Sequence, residues 1–176
     1  MIRNTAVTVC GPLNVNKLGV TYVHEHLMVK PQLPDEYYIP YTLDDEAAST
    51  EETRSFSAAG GETLVEMTPI NYGRNVKAYQ RIAQATGVHV ICCTGFHKQL
   101  FMPPWFGDKT DGELYDILMD EVTNGLDDTE IHPGVIKLGT SFEEVTAAEK
   151  RSIEAVARVH RDTGIPISTH CDKGTM

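Results

Sequence analysis

The stretch GVIKLGTSFEEVTAAEKRSIEAVARVHRDTGIPISTH, residues 134–170, predicts a strand, a helix and a second strand. Residues 134–140 and 165–170 read as short strands, and the segment between them has the apolar periodicity of an amphipathic helix. Thr146 and Glu149 form a capping box at the start of this helix, and Gly164 ends it. A strand followed by a helix and another strand is typical of a parallel sheet covered by helices.

The same alternation extends toward the amino terminus. The sequence predicts further strands at 19–25, 62–68 and 88–94, and further helices at 45–59, 74–86 and 111–125. The whole pattern is therefore an α/β chain of five strands and four helices in strict alternation. Residues 5–19 add a predicted small hairpin before the first main strand.

Two architectures fit this alternation, an open doubly wound sheet and a TIM-type (β/α)8 barrel of which only the first five strands are present. A complete eight-stranded barrel needs about 250 residues. No GxGxxG motif follows the first strand, which disfavours the dinucleotide-binding form of the open sheet. No linker divides the chain, so we expect a single domain over residues 1–176, truncated after the fifth strand.

Composition excludes several classes of protein. The 176 residues carry a formal net charge of −10, which argues against nucleic-acid binding. No run of about 20 apolar residues predicts a membrane span, and the amino terminus lacks the features of a signal peptide. The sparse cysteines are typical of a reducing compartment, so the sequence predicts a cytoplasmic protein. They are Cys10, Cys92, Cys93 and Cys171.

Polar side chains cluster where the predicted strands end, which is where parallel α/β folds form active sites. In TYVHEHLMV, residues 21–29, His24 and His26 alternate along a strand and so share one face. With His170 at the end of the fifth strand they make three imidazoles, a common set for zinc. Other polar residues at strand ends are Glu66, Thr68, Thr94 and His97.

Lys137 lies inside the apolar strand VIKLG, where an unpaired ammonium would be very costly. One interpretation is that the side chain pairs with a carboxylate or reaches solvent. Another is that burial keeps the amine neutral and nucleophilic, so that it forms a Schiff base or takes up carbon dioxide as a carbamate. A carbamate has two anionic oxygens and can bridge two metal ions.

Five blocks in order, VTYVHEHL, ETLVEMTPINYGRN, CCTGFH, GVIKLGTS and GIPISTH, resemble the phosphotriesterase family of the amidohydrolase superfamily. The resemblance covers nearly the whole chain. It implies a (β/α)8 barrel with two divalent metal ions, zinc in the first instance, with manganese, cobalt or iron as alternatives. It also implies a small-molecule ester or lactone substrate and a possible homodimer.

By this resemblance, His24 and His26 bind the more buried metal, His170 binds the more exposed one, and Lys137, carboxylated by carbon dioxide, bridges both. Lys137 therefore counts as a catalytic residue as well as a ligand. A hydroxide held between the metals is the implied nucleophile. The family takes two more ligands, a histidine and a proton-shuttling aspartate, from strands six and eight. The sequence predicts neither strand, so this chain resembles the amino-terminal portion of such an enzyme.

Three residues are candidates for substrate contact, namely His97, Arg74 and Tyr72. His97 follows the third strand, and Arg74 in NYGRN either touches substrate or starts the second helix. Three other histidines are predicted to be structural: His89 at the amino end of its strand, His132 in a loop and His160 on the buried face of the last helix.

The leading hypothesis is thus a metal-dependent hydrolase acting on a lactone, a carboxyl ester or a phosphoester. The second hypothesis is a non-catalytic metal-binding or interaction module that keeps the ligands but lacks the acid/base. The third is a Schiff-base lyase or aldolase that uses Lys137, although such a site has no need of three histidines.

Overall fold

A two-stranded antiparallel hairpin precedes a five-stranded parallel sheet covered by helices. The computed structural model describes residues 4–32, 39 and 41–172. Within them the strands are β1 (Thr5–Thr8), β2 (Gly11–Asn14), β3 (Thr21–Glu25), β4 (Thr63–Glu66), β5 (His89–Gly95), β6 (Val135–Thr140) and β7 (Ile167–Cys171). The helices are α1 (Glu46–Ala58), α2 (Val76–Thr86), α3 (Asp111–Asn124) and α4 (Ala147–Thr163).

The strands of the large sheet keep chain order, β3-β4-β5-β6-β7, and every neighbouring pair is parallel. Because parallel neighbours need a long crossover, one helix separates each strand from the next. The sheet curls into part of a barrel with its helices outside. The predicted alternation is confirmed, and uninterrupted chain order favours the barrel over a doubly wound sheet, in which the strand order reverses.

Strand β3 contains a bulge that the sequence did not predict. Tyr22 pairs with Leu64 and Glu25 pairs with Glu66, so β3 contains one more residue than β4 between these two pairs. A bulge of this kind bends the strand and redirects the side chains near it. His24 lies inside the bulged segment, so its direction is set by this irregularity as well as by simple alternation.

Apolar side chains fill both faces of the sheet. Ile136 and Leu138 of β6 point outward into the helix layer, where they pack with Leu118 and Val156. Val135 alternates with them and lies on the inner face, in a smaller cluster. The other buried members of that inner cluster are Met67, Ile91 and Cys93.

The predicted hairpin is confirmed, and it lies against the amino ends of the sheet. The Val9 amide donates to the Val90 carbonyl oxygen at 2.8 Å. Gly134 lies so close to the hairpin that a Cβ atom there would come within 2.7 Å of the Val7 carbonyl oxygen. The hairpin therefore packs at the amino ends of the strands and leaves their carboxyl ends uncovered by it.

Helix α4 begins and ends at the residues that the sequence predicted. Both hydrogen bonds of the Thr146–Glu149 capping box are present, and Gly164 ends α4 with a left-handed φ of 73°. Helix α2 begins at Val76, later than predicted, because the Asn75 side chain caps it. No helix in the described part of the chain is long and apolar enough to cross a membrane.

The prediction that His160 lies on the buried face of α4 is wrong. Its side chain is exposed, and its ring Nδ1 atom lies 2.8 Å from the Ile165 carbonyl oxygen, beyond the end of α4. The buried stripe of α4 instead runs through Ala155, Val156 and Val159. His160 lies in the last turn, where its ring reaches over the helix end and not toward the sheet.

Candidate metal centre

The four predicted metal ligands lie on strands whose carboxyl ends meet at one edge of the curled sheet. His24 belongs to β3, Lys137 to β6 and His170 to β7, and His26 follows β3 directly. The register pairs Gly139 of β6 with His170, so Lys137 and His170 end up on neighbouring strands.

Lys137 is completely buried on the inner face of the sheet. Its Nζ donates to the Met67 carbonyl oxygen at 3.0 Å and lies 3.2 Å from Nε2 of His24. Burial lowers the pKa of Lys137 to about 8, although the acidic groups of Cys93 and Glu66 act in the opposite direction. Near neutral pH a larger share of this amine is therefore neutral than for an ordinary lysine.

His24 has the electrostatics of a neutral imidazole. The residue as a whole is exposed, yet partial desolvation of the ring, followed by the charges of Lys137, His26 and His170, lowers its pKa to about 4. The rings of His24 and His26 meet edge to face, with centroids 5.4 Å apart. A neutral imidazole keeps a nitrogen lone pair, which is what a metal ligand requires.

The rings of His97, His170 and Tyr72 form one wall beside these ligands. His97 lies 4.5 Å from His170 and 4.7 Å from Tyr72, measured between ring centroids, and Tyr72 lies 5.9 Å from His26. His97 is buried, and its Nδ1 accepts from the Lys98 amide at 2.7 Å. Burial, with a smaller contribution from nearby positive charge, holds the pKa of His97 far below its usual range.

His170 has a buried ring nitrogen that tests whether the site suits a cation. Its Nε2 is buried and has no hydrogen-bond partner among the described residues. The Oδ1 atom of Asp172 is 3.8 Å away, which is too far for a hydrogen bond. Buried polar atoms are nearly always satisfied, so an unpaired imidazole nitrogen at this edge fits a cation that binds there.

The donor set fits divalent transition metals only when Lys137 is counted. Within residues 4–32, 39 and 41–172, no three histidine, cysteine, aspartate or glutamate side chains form a metal-binding group by themselves. The Lys137 amine lies at the junction, in contact with His24. An anionic derivative of this amine would supply the oxygen donors that zinc and similar ions accept beside imidazole.

Arg74 forms an ion cluster with two carboxylates, Glu121 and the more exposed Asp127. Its side chain is 5% exposed and forms paired hydrogen bonds with Glu121, at 2.5 and 3.1 Å, and with Asp127, at 2.6 and 3.0 Å. The Thr94 hydroxyl also donates to Glu121, at 2.5 Å. These partners occupy the guanidinium, so its placement argues against the predicted substrate contact. Its position just before α2 fits the alternative structural role.

Sequence reasoning missed Glu121 and Asp127 as partners of Arg74. For Glu121 a signal was present, because Leu114, Leu118 and Glu121 follow the spacing of one helix face. A carboxylate on an apolar stripe needs a partner, since unpaired buried charges are rare. Asp127 carries no such signal in its loop.

A cavity of about 1170 Å³ lies at the opposite end of the sheet. It is lined by the hairpin and by residues 128–134, and none of the candidate ligands contributes to it. Active sites of parallel barrels form at the carboxyl ends of the strands. The candidate site is therefore the group of histidines with Lys137 and not this cavity.

The amino-acid sequence of this chain is similar to those of one known protein family. The sequence model of the phosphotriesterase family matches residues 4–176. A phospho-furanose lactonase of Mycoplasmopsis synoviae is 33% identical over 192 aligned residues, which cover 100% of this chain and 54% of that protein.

Two solved structures extend the comparison to the fold. A lactonase of Listeria monocytogenes superposes with a TM-score of 0.88 at 31% identity, covering 98% of this chain and 58% of that one. A variant of organophosphorus hydrolase from Deinococcus radiodurans gives a TM-score of 0.84 at 35% identity, covering 97% and 54%. The matched structures are TIM barrels, so the five-stranded sheet corresponds to part of such a barrel. The chain spans about half the length of the curated relatives it matches.

Proposed function

This chain belongs to the phosphotriesterase family, and we propose that it supplies four ligands of the metal centre of a hydrolase that opens lactones or carboxyl esters. Sugar and sugar-phosphate lactones are included in this class, and phosphoesters are the second class. The chain is similar to two proteins described as lactonases, which supports placing lactones before phosphoesters. The free cysteines among the described residues support a cytoplasmic location.

One observation carries the proposal, namely the contact of the fully buried Lys137 amine with Nε2 of His24 at 3.2 Å. A buried lysine is costly, and a contact with an imidazole nitrogen does not neutralise its charge. The amine is therefore best explained by a chemical role. The unpaired Nε2 of His170 at the same edge of the sheet supports this.

The proposed ligands are His24 and His26 for the more buried cation, His170 for the other, and carboxylated Lys137 for both. Zinc is the proposed metal, and manganese, cobalt and iron are the alternatives. When bound, two such cations would lower the pKa of water and polarise the attacked carbonyl or phosphoryl group. The imidazoles contribute neutral nitrogen lone pairs, for which the lowered pKa of His24 is favourable.

Lys137 must first be converted, and its environment supports the conversion. The neutral amine attacks the carbon of carbon dioxide, and a nitrogen–carbon bond forms as one C=O π bond breaks and its electron pair moves to oxygen. One proton then leaves the nitrogen for solvent. A pKa lowered to about 8 by burial increases the share of amine that can react. The Met67 carbonyl oxygen, 3.0 Å from Nζ, holds the nitrogen in place by accepting its remaining hydrogen.

His97 and Tyr72 are proposed to line the substrate side of the centre. Their rings pack against each other and against His170 and His26. A wall of rings excludes water and offers apolar contact to a flat lactone ring. Arg74 is left out of this proposal because Glu121 and Asp127 occupy its guanidinium.

The first test is metal stoichiometry. Residues 1–176, purified with bicarbonate and zinc, should retain at least one metal by plasma mass spectrometry, and a His24→Ala/His26→Ala variant should lose it. Carbon-13 bicarbonate should give a carbamate signal that is absent in Lys137→Met. A folded chain that holds no metal and forms no carbamate would overturn the proposed centre.

Hydrolysis needs a second test, because the relatives are nearly twice as long as this chain. A hybrid would join residues 1–172 to the carboxyl-terminal part of the Mycoplasmopsis synoviae lactonase. We expect it to open lactones, and we expect the same hybrid with Lys137→Met to be inactive. A folded, metal-loaded hybrid that hydrolyses neither lactones nor aryl phosphotriesters would refute the assignment.

A further inference from the structure

A buried carboxylate lies behind His26. Glu66, the last residue of β4, is completely buried. One of its oxygens accepts from the Leu27 amide, and the other accepts from the Thr68 amide at 2.8 Å. The second oxygen also lies 3.7 Å from Nδ1 of His26. Two backbone amides thus fix the carboxylate where it faces one particular nitrogen of the His26 ring.

Thr68 makes the direct contact with that nitrogen. Its Oγ1 lies 2.8 Å from Nδ1 of His26. A hydroxyl can accept as well as donate. The Glu66 oxygen behind it can only accept, so a proton on Nδ1 of His26 is donated to Thr68 and also faces the charge of the carboxylate.

The opposite arrangement of the His26 proton is unfavourable. With the proton on Nε2, the lone pair on Nδ1 would face the Glu66 carboxylate, and two acceptors would have no proton between them. The effect is strong because Glu66 and Thr68 are buried.

We propose that Glu66 and Thr68 are positioning residues of the metal centre, which hold the proton of neutral His26 on Nδ1 and so leave the Nε2 lone pair for a divalent cation. Partners of this kind orient histidine ligands and raise their basicity in metal sites generally. The inference rests on the proposed function only in taking His26 as a ligand. The position of the proton is a property of the metal-free chain.

The first experiment reads the proton without any metal. Two-bond ¹H–¹⁵N correlation NMR on residues 1–176, at mildly alkaline pH, distinguishes the two neutral forms of a histidine ring. The His26 signals are assigned by their loss in His26→Gln. We expect the Nδ1–H form in the wild type. Thr68→Val removes the acceptor and Glu66→Gln removes the charge, so each should shift His26 toward the Nε2–H form.

The second experiment measures cobalt and zinc affinity by competition with a chromophoric chelator. Loss of either positioning residue should weaken binding about 10- to 100-fold. Thr94→Val is the matched control, because Thr94 is also a buried threonine at a strand end but donates to Glu121 and not to a histidine. It should leave both the His26 proton and the metal affinity unchanged.

Circular dichroism establishes whether each variant is folded. If Glu66→Gln does not fold, Thr68→Val alone tests whether the His26 proton is held on Nδ1. An Nε2–H form in the wild type, or unchanged proton position and affinity in folded Thr68→Val, would overturn the inference. Failure of the proposed function would look different, since the wild type would then bind no metal while His26 still had its proton on Nδ1.

Discussion

Nζ of Lys137 lies 3.2 Å from Nε2 of His24, although 113 positions separate the two residues in the chain. Both groups are cations when protonated, so their contact is tolerable only if at least one is neutral. The pKa values of both are lowered, to about 8 for Lys137 and about 4 for His24. His24 is therefore neutral near neutral pH, and a larger share of the Lys137 amine is neutral than in an ordinary lysine. Neutral nitrogen is the form that reacts with carbon dioxide or binds a metal.

Replacing Lys137 by methionine should separate stability from metal binding. An apolar side chain of similar volume removes the cost of burying the amine, so we expect the metal-free melting temperature to stay level or rise. Bound metal should fall because the bridging group is lost. Thermal unfolding with chelator and plasma mass spectrometry give the two readings, and Lys77→Met on the exposed face of α2 is the control. Full metal content after Lys137→Met would contradict the assignment.

His170 and His97, whose rings are in tilted contact, should respond differently to substitution by phenylalanine. His170→Phe removes the buried, unpaired Nε2 and should lower the metal content of the chain. His97→Phe removes the acceptor of the Lys98 amide, which should cost about 1–3 kcal/mol of stability but leave metal content unchanged. Metal analysis beside urea unfolding measures both effects. Metal loss in folded His97→Phe would make His97 a ligand and not a wall residue.

Arg74→Leu should be among the most damaging single changes outside the metal centre. It leaves the mostly buried Glu121 carboxylate with the Thr94 hydroxyl but without a cation, which should cost about 3–5 kcal/mol of unfolding free energy. Arg81→Leu is the matched control, because Arg81 pairs with Glu46 at the surface and should matter little. Urea unfolding compares them. Equal effects of the two substitutions would show that the cluster around Arg74 is not essential for stability.

Glu149 should make stability depend on acidic pH. It is completely buried and accepts from the Gln99 and Thr146 amides, both at 2.9 Å, and from the Ser141 hydroxyl at 2.6 Å. Burial acts to raise its pKa, but these hydrogen bonds together bring the pKa below its ordinary value. The stabilisation is therefore complete above the pKa of the unfolded chain and is lost as pH falls through the folded value.

Glu149→Gln provides the comparison for this pH effect. The wild type should lose unfolding free energy on acidification through the ordinary glutamate range more steeply than Glu149→Gln does. Glu154→Gln, on the exposed side of the same helix, should follow the wild type. A series of urea unfolding curves at decreasing pH makes the measurement. Parallel curves for wild type and Glu149→Gln would contradict the argument.

Much of the fold could be predicted because its signals are local. Each strand is a short apolar run, and each helix has its own periodicity and end signals, such as the capping box of Thr146 and Glu149. Chain order then equals sheet order, so no long-range pairing had to be guessed. Because the strands were predicted to be parallel, His24, Lys137 and His170 could be predicted to share one edge of the sheet.

The parts that could not be predicted depend on distant partners. The bulge in β3 exists only relative to the register of β4, which no feature of TYVHE reveals. Arg74 meets Glu121 and Asp127, which lie 47 and 53 positions away. His160 fits the apolar periodicity of α4 but lies in its last turn, where a ring can reach past the helix end.

Because the strands of the sheet keep chain order, they are also synthesised in the order in which they pair. Each strand of the sheet can pair with the one made just before it, so a nascent chain can add strands one after another as it leaves the ribosome. His24 is then in place before Lys137 is synthesised, and His170 is added later. Until β6 packs into the sheet, the lysine amine is open to water and dissolved carbon dioxide.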